Sequence, residues 1–248
     1  MADIIVQAFH QAFNLIISGN PEVYGTIYRT LYVAGLGTLL ACLWSIPIAI
    51  WLGLYNFRGK WIIRGFFNGL LAVPTVALGL ILFLFFSRQG ELGFLHLLFT
   101  LNGIAIGQAI LVTPIIVSFT ANALSTSDVQ LRDLAKTLGA STFRTNLTLV
   151  KEAFWSIILS LTAAFNRGFG ELGIASIVGG NLLGETRVLT TSIAFEINYG
   201  NFGAAMAYGL ILMVIVITLA LTISLIERVR QDNDLKSKLI FWRGLSGS

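Results

Sequence analysis

The sequence contains few charged residues. Only 11% of its 248 residues are charged, whereas soluble globular domains carry about 25%. Four stretches contain no Asp, Glu, Lys or Arg at all: residues 30–57, 65–87, 92–127 and 197–226. A helix of about 20 apolar residues can cross a bilayer, whereas a soluble helix needs polar residues on its outer face. The sequence therefore predicts an integral membrane protein.

The residues that build several kinds of chemical site are also missing. A single cysteine, Cys42, excludes a disulfide within the chain, and two distant histidines, His10 and His96, argue against a transition-metal cluster. Neither Lys60 nor Lys136 follows the glycine frame of a nucleotide phosphate-binding loop. No paired carboxylates or serine–histidine–aspartate grouping indicates hydrolysis. We therefore predict no catalytic residue, no metal ligand and no cofactor held by this chain.

The apolar stretches and the basic residues together predict a topology. An interfacial helix within residues 1–20 is followed by five predicted spans, near residues 30–54, 63–86, 103–124, 153–178 and 203–226. Twelve of the 16 basic residues fall in the loop 55–64, the segment 125–152 and the tail 228–248. Because cytoplasmic loops are enriched in Lys and Arg, we place these regions inside, with the N-terminus outside. The net charge of +4 therefore reflects topology and does not indicate nucleic-acid binding.

The polar segment 125–152 predicts a short amphipathic helix between two spans. Ser127 and Gln130 form a capping box. Four small or apolar residues then recur at helical spacing: Leu131, Leu134, Ala135 and Leu138. Gly139 suits the positive φ that ends a helix, and Ser141 can cap the helix that follows. The pattern fits either a docking element or a surface loop that packs on its own bundle.

The stretch Asp133-Leu134-Ala135-Lys136-Thr137-Leu138-Gly139 resembles the cytoplasmic "EAA" loop of ABC-importer permeases. Asp133 stands for the Glu of that loop, Leu134 and Ala135 for its two alanines, and Gly139 for its Gly. The Leu-Pro that closes the family pattern is replaced here by Lys151-Glu152. That ending is similar to the tungstate-type permeases, as are the stretches 178–181 and 186–191.

The resemblance implies an all-α membrane protein with the type I ABC-importer permease fold, as a single domain over residues 1–248 in the cytoplasmic membrane. It implies a transport subunit, not an enzyme, that pairs with a second copy of itself. Two ATP-binding subunits would carry ATP and Mg, and an extracytoplasmic oxyanion-binding protein would deliver the substrate. The contact with the ATPase would use residues of the 125–152 loop: Leu131, Asp133, Leu134, Ala135, Leu138 and Gly139.

The transported ion implied by the resemblance is an oxyanion, with tungstate first and molybdate or sulfate as alternatives of the same class. A stand-alone secondary transporter or channel is the alternative of another class. Such a protein has no need for a cytoplasmic docking helix, and co-purification with a soluble ATPase would separate the two hypotheses.

Two opposite charges lie inside the fourth predicted span. Arg167 and Glu171 are four residues apart, so they can pair on one helical face. The pair is either purely structural, or Arg167 lines the translocation pathway, since charges within membrane spans usually face the protein interior. The candidate pathway residues are polar or charged: Thr75, Asn166, Arg167, Glu171 and Asn181.

Overall fold

The computed structural model describes residues 2–126, 137 and 139–245. These residues divide between two compact units, Met1–Leu212 and Met213–Ser248. The second unit is helical as far as Leu245. All regular structure in the described residues is helical, as the sequence predicts.

The described residues form helices, with a 3-10 turn at Gly93–Leu95 between two of them. In chain order they are α1 (Ala2–Ile17), α2 (Pro21–Leu54), α3 (Lys60–Leu70), α4 (Thr75–Phe86), α5 (Leu101–Thr126), α6 (Thr142–Glu152), α7 (Phe154–Phe169), α8 (Gly173–Gly179), α9 (Leu189–Asn198) and α10 (Phe202–Leu245).

Local contacts mark the end of α1 and the start of α2. Helix α1 occupies the segment predicted to be interfacial, and the hydroxyl of Tyr24 donates to the carbonyl of Ile16 at its end, at 2.7 Å. Helix α2 starts at Pro21, whose missing N–H costs nothing in a first turn. The Asn20 side chain accepts hydrogen bonds from the backbone N–H groups of Glu22 and Val23, at 3.0 and 3.4 Å. This cap starts α2 nine residues earlier than the predicted span.

The core lies along the contact between α2 and α5. Small residues let the two backbones approach closely: a Cβ added to Gly37 would lie 3.0 Å from the carbonyl oxygen of Ala105, and one added to Gly53 would lie 2.7 Å from Leu124 Cβ. Both helices advance in the same direction along this contact, so Leu54 and Thr126, their last residues, lie at the same end of the bundle.

Two of the membrane-crossing segments are bent. Helices α2, α5 and the Phe202–Thr222 part of α10 are long and apolar enough to cross a membrane in the described part of the chain. The axes of α3 and α4 meet at 95° and those of α6 and α7 at 55°. Counting each bent pair as one span gives five, the number that the sequence predicts, although the α6–α7 pair begins at Thr142, before the predicted span 153–178.

The fourth predicted span, residues 153–178, is not one continuous helix. It breaks after Phe169 and resumes at Gly173. The break persists because Glu171 caps the second piece: its Oε1 accepts from the backbone N–H of Ile174 at 3.2 Å. The hydroxyl of Thr190 donates to the Glu171 carbonyl at 2.8 Å. Hydropathy averaged over a span-length window does not locate such a break, although Gly168, Gly170 and Gly173 mark it in the sequence.

Candidate functional site

The break between α7 and α8 holds a buried carboxylate. Glu171 Oε2 accepts from Arg167 Nη1 at 2.7 Å, while its other oxygen caps α8. The Glu171 side chain is 2% exposed, but the Arg167 side chain is 41% exposed. The carboxylate is therefore satisfied on both oxygens inside the protein, as a buried charge requires. The arginine keeps donors on an accessible surface.

The bend between α3 and α4 packs against this break. Thr75, the first residue of α4, lies against Gly173, the first residue of α8: a Cβ on Gly173 would lie 2.7 Å from Thr75 Oγ1. A Cβ on Gly79 would lie 3.3 Å from the Gly173 carbonyl oxygen. Two helix starts therefore meet backbone to backbone. Broken helices expose polar backbone groups within the membrane, and many transporters place their sites at such breaks.

Two amide side chains beside the break have a buried oxygen with no hydrogen-bond donor among the described residues. They are Asn166 on α7 and Gln108 on α5, whose Oδ1 and Oε1 atoms accept no hydrogen bond. Gln108 is 4% exposed, and a Cβ on Gly168 would lie 3.2 Å from its Oε1. Sequence reasoning missed Gln108, although a glutamine inside the charge-free stretch 92–127 is a detectable signal.

The structure therefore brings together four of the five predicted pathway residues. Thr75, Asn166, Arg167 and Glu171 lie at the α7–α8 break or pack directly against it. Asn181 lies elsewhere, in the loop after α8, with a φ of 52°. Its Oδ1 accepts from Arg187 Nε at 3.1 Å. The Asn181 side chain therefore forms its hydrogen bond within its own loop, residues 181–187.

A second arginine, missed by sequence reasoning, fixes that loop on α2. Arg29 Nε donates to the Arg187 carbonyl at 2.8 Å, and its Nη1 donates to the Gly184 carbonyl at 3.2 Å. Its Nη2 pairs with Glu22 at 2.8 Å and donates to Thr26 at 2.9 Å. Arg29 and Glu22 are seven residues apart, two turns of one helix, and this spacing could have indicated the pair.

Known proteins resemble this chain in sequence and in fold. Residues 45–229 match the family of binding-protein-dependent transport system inner membrane components. The chain belongs to this family. It is a permease, a multi-pass protein of the cytoplasmic membrane, and the predicted resemblance to ABC-importer permeases is confirmed.

The permease matches two tungstate uptake permeases over most of its own length and nearly all of theirs. The tungstate uptake system permease protein TupB of Peptoclostridium acidaminophilum is 35% identical over 86% of this chain and 93% of its own. TupB of Campylobacter jejuni is 33% identical over 86% of this chain and 89% of its own. These matches confirm the resemblance to the tungstate-type branch.

A solved structure shares the fold of the permease. It is the MetNI methionine ABC transporter in inward-facing conformations, whose matching chain superposes with a TM-score of 0.66 at 15% identity. The match covers 84% of this chain and 95% of that chain. At this identity the likeness concerns the fold alone, and it confirms the predicted type I importer permease architecture.

The predicted coupling segment of the permease falls mainly outside the described residues: Leu131, Asp133, Leu134, Ala135 and Leu138. Gly139 is described, and its φ of 75° is the left-handed conformation that the sequence predicts. Among the described residues other than its chain neighbours, no heavy atom lies within 4 Å of a Cβ added there. Ser141 caps α6 as predicted, since its Oγ accepts from the Arg144 N–H at 3.4 Å.

Proposed function

We propose that this permease imports a tetrahedral oxyanion, tungstate, across the cytoplasmic membrane. The observation that carries the proposal is its similarity, over nearly the full chain, to the two tungstate uptake permeases described above. Physical support comes from Arg167, because a guanidinium matches the oxygens of a tetrahedral anion. Its side chain is 41% exposed in the isolated chain.

The exposed side of Arg167 faces, in this proposal, a pathway between two copies of the chain. A cation at membrane depth avoids lipid and faces either protein or a water-filled space. Arg167 follows the start of α7 by 13 residues, about 20 Å of helix. A passing oxyanion would meet one Arg167 from each copy. Glu171 would limit the net positive charge and keep the ion from being trapped.

The energy source in this proposal is a separate ATPase that binds the 125–152 segment on the cytoplasmic side. The common end of α2 and α5 supports this arrangement, because α5 leads directly into that segment. An extracytoplasmic binding protein would deliver the ion to the opposite face. ATP-driven closure of the ATPase would then switch the permease between two states that open to different sides.

The proposed topology places the N-terminus outside and the C-terminus inside. Single cysteines at positions 60 and 198, in a variant without Cys42, test it with a membrane-impermeant thiol reagent. We expect labelling of intact cells at position 198 and protection at position 60. The reverse pattern would show that the topology is inverted.

Uptake measurements test the proposed substrate and energy source. Cells that express the permease with a partner ATPase and a tungstate-binding protein should accumulate tungstate, measured by elemental mass spectrometry. Inactivating the ATPase should abolish uptake, and excess molybdate or sulfate should compete according to their affinity for the binding protein. Tungstate uptake that persists without any ATPase, driven by an ion gradient, would instead establish a secondary transporter.

A further inference from the structure

A polar cavity lies between α3 and α5, away from the α7–α8 break. It has a volume of about 310 Å³, and its walls include polar and aromatic side chains: Arg64, Phe67 and Asn68 from α3, and Ser118, Phe119 and Asn122 from α5. The Arg64 Nη2 donates to the Ala121 carbonyl at 3.2 Å. Ala121 follows Gln108 by 13 residues on α5, about 20 Å along the helix, so this cavity is separate from the α7–α8 break.

Arg64 carries a positive charge that no carboxylate within the described residues neutralises. Arg29 and Arg167 each pair with a glutamate, and Arg187 lies 4.2 Å from the ring centre of Phe195. The half-buried Arg64 has one hydrogen bond, to a backbone carbonyl, and its buried Nε has no partner among the described residues. Most of its donors are therefore available.

Ser118 adds an unused hydroxyl to the same wall. A serine or threonine within a membrane helix commonly donates to the carbonyl four residues earlier, as Thr113 does to Ala109 at 2.8 Å. The Oγ of Ser118 is buried and has no partner in the described part of the chain. A guanidinium, a hydroxyl and the amides of Asn68 and Asn122 thus line one cavity that contains no acidic side chain.

We propose that this cavity binds one tetrahedral oxyanion, either a free ion or the phosphate group of a membrane lipid. Arginine and hydroxyl donors suit such an anion. The cavity lies near the end of the bundle where α2 and α5 finish, and the proposed topology puts that end at the cytoplasmic surface. Phe67 and Phe119 supply apolar wall, which would suit a lipid chain as well. The inference depends on the cavity alone and does not require the proposed transport function.

Binding to the purified full-length chain tests the proposal in two arms. In lipid-free detergent, equilibrium dialysis with sodium tungstate and with inorganic phosphate measures the free ions. Native mass spectrometry with added phosphatidylglycerol measures the lipid. Arg64→Gln should weaken binding of one of these probes by at least about tenfold, the effect of losing a hydrogen bond to a charged group. The matched control is Arg58→Gln, an exposed arginine in the loop before α3, which should change binding less than about twofold.

Each outcome of the two arms decides the proposal. Arg64-dependent binding of an ion identifies a free oxyanion as the ligand, and Arg64-dependent binding of phosphatidylglycerol identifies a lipid phosphate. The proposal is overturned if neither probe binds the wild-type chain, or if Arg64→Gln and Arg58→Gln bind alike. A failure of tungstate uptake in cells leaves these results unaffected, so the two proposals fail independently.

A second variant keeps the test valid if Arg64→Gln does not fold. Asn68 follows Arg64 by four residues on α3, so Asn68→Asp places a carboxylate within pairing distance of the guanidinium. The variant should fold at least as well as wild type, measured by thermal unfolding, because it neutralises Arg64. Its anion binding should fall by at least about tenfold. A folded Asn68→Asp protein that binds with wild-type affinity would contradict the proposal.

Discussion

Two arginine–glutamate pairs in the described part of the chain have similar geometry and opposite burial. Arg29 and Glu22 are 2.8 Å apart, and their side chains are 10% and 36% exposed. Arg167 and Glu171 are 2.7 Å apart, with 41% and 2% exposed. In the first pair the cation is buried, and in the second the anion is buried. In each pair the buried side chain is the one that hydrogen-bonds to backbone groups: Arg29 donates to two carbonyls, and Glu171 accepts from an N–H.

The difference indicates which charge is available for function. Arg29 uses its donors on two carbonyls, a hydroxyl and Glu22, so it acts as a clamp between α2 and the 184–187 loop. Glu171 uses both oxygens, one of them to start α8. Arg167 has one hydrogen bond within the described residues, to Glu171. We call Arg29–Glu22 the outer pair and Arg167–Glu171 the inner pair. We expect variants of the outer pair to change stability and variants of the inner pair to change transport.

The largest effect on stability is expected from Arg29→Met. The change leaves two backbone carbonyls without this donor and leaves the Glu22 carboxylate with only the Thr26 hydroxyl, at 3.3 Å. We expect the free energy of unfolding to fall by about 3 kcal/mol, at the low end for breaking a buried ion pair, because Glu22 is partly exposed. Denaturant unfolding in detergent measures it. Arg88→Met, at an exposed position, is the control and should cost less than about 0.5 kcal/mol; equal losses would contradict the clamp.

The packing that supports the inner pair is tested by Gly173→Ala. The new methyl group would meet Thr75 Oγ1 at 2.7 Å and the Val76 nitrogen at 3.0 Å. We expect a loss of about 2 kcal/mol in the free energy of unfolding, as for other overpacked sites. Gly170→Ala is a close control, because its nearest neighbouring atom would lie 3.9 Å away. Similar unfolding curves for the two variants would show that the break tolerates separation from α4.

A double variant of the inner pair tests the availability of Arg167. Arg167→Gln with Glu171→Gln removes both charges together, so neither is left buried alone. The amide introduced by Glu171→Gln retains an oxygen that can accept from the Ile174 N–H. Uptake of tungstate should fall at least about tenfold, equivalent to about 1.4 kcal/mol, while the complex still assembles and hydrolyses ATP. Near-normal uptake would show that the pair is only structural.

These comparisons also show what the sequence could reveal. The charge-free stretches predicted the spans because burial in lipid depends on composition over about 20 residues. The i,i+4 spacing predicted the pair of Arg167 and Glu171, since it depends on local helix geometry. Gly139 and Ser141 were predicted correctly for the same reason: turn and cap preferences are local.

What the sequence could not reveal depends on contacts between distant residues. Arg29 meets Gly184 and Arg187 across more than 150 residues, and no local pattern indicates that contact. The cavity at Arg64 exists only because α3 packs beside Ser118 on α5. Asn181 was predicted to be a pathway residue, and its contact with Arg187 depends on the path of the loop. A pathway role for Asn181 stays a prediction.

The smallest effect is expected from Asn181→Gly, which tests whether the 181–187 loop, held on α2 by Arg29, is purely structural. Glycine adopts the φ of 52° without strain, so the variant removes only the acceptor for Arg187 Nε. Arg187 keeps its position over Phe195, at 4.2 Å from the ring centre. The free energy of unfolding should therefore fall by about 1 kcal/mol, the net value of one hydrogen bond, and tungstate uptake per folded transporter should not change.

Asn181→Ala separates the side chain from the backbone in the same experiment. It lacks the same acceptor but forces an alanine into the left-handed region, which costs a further 1–2 kcal/mol or so. Stability should thus fall in the order wild type, Asn181→Gly, Asn181→Ala, with uptake per folded transporter equal in all three. If uptake instead falls equally in both variants while their stabilities differ, the side chain of Asn181 contacts the transported ion. Function would then extend into the region that Arg29 clamps, and the division between a structural outer pair and a functional inner pair would fail.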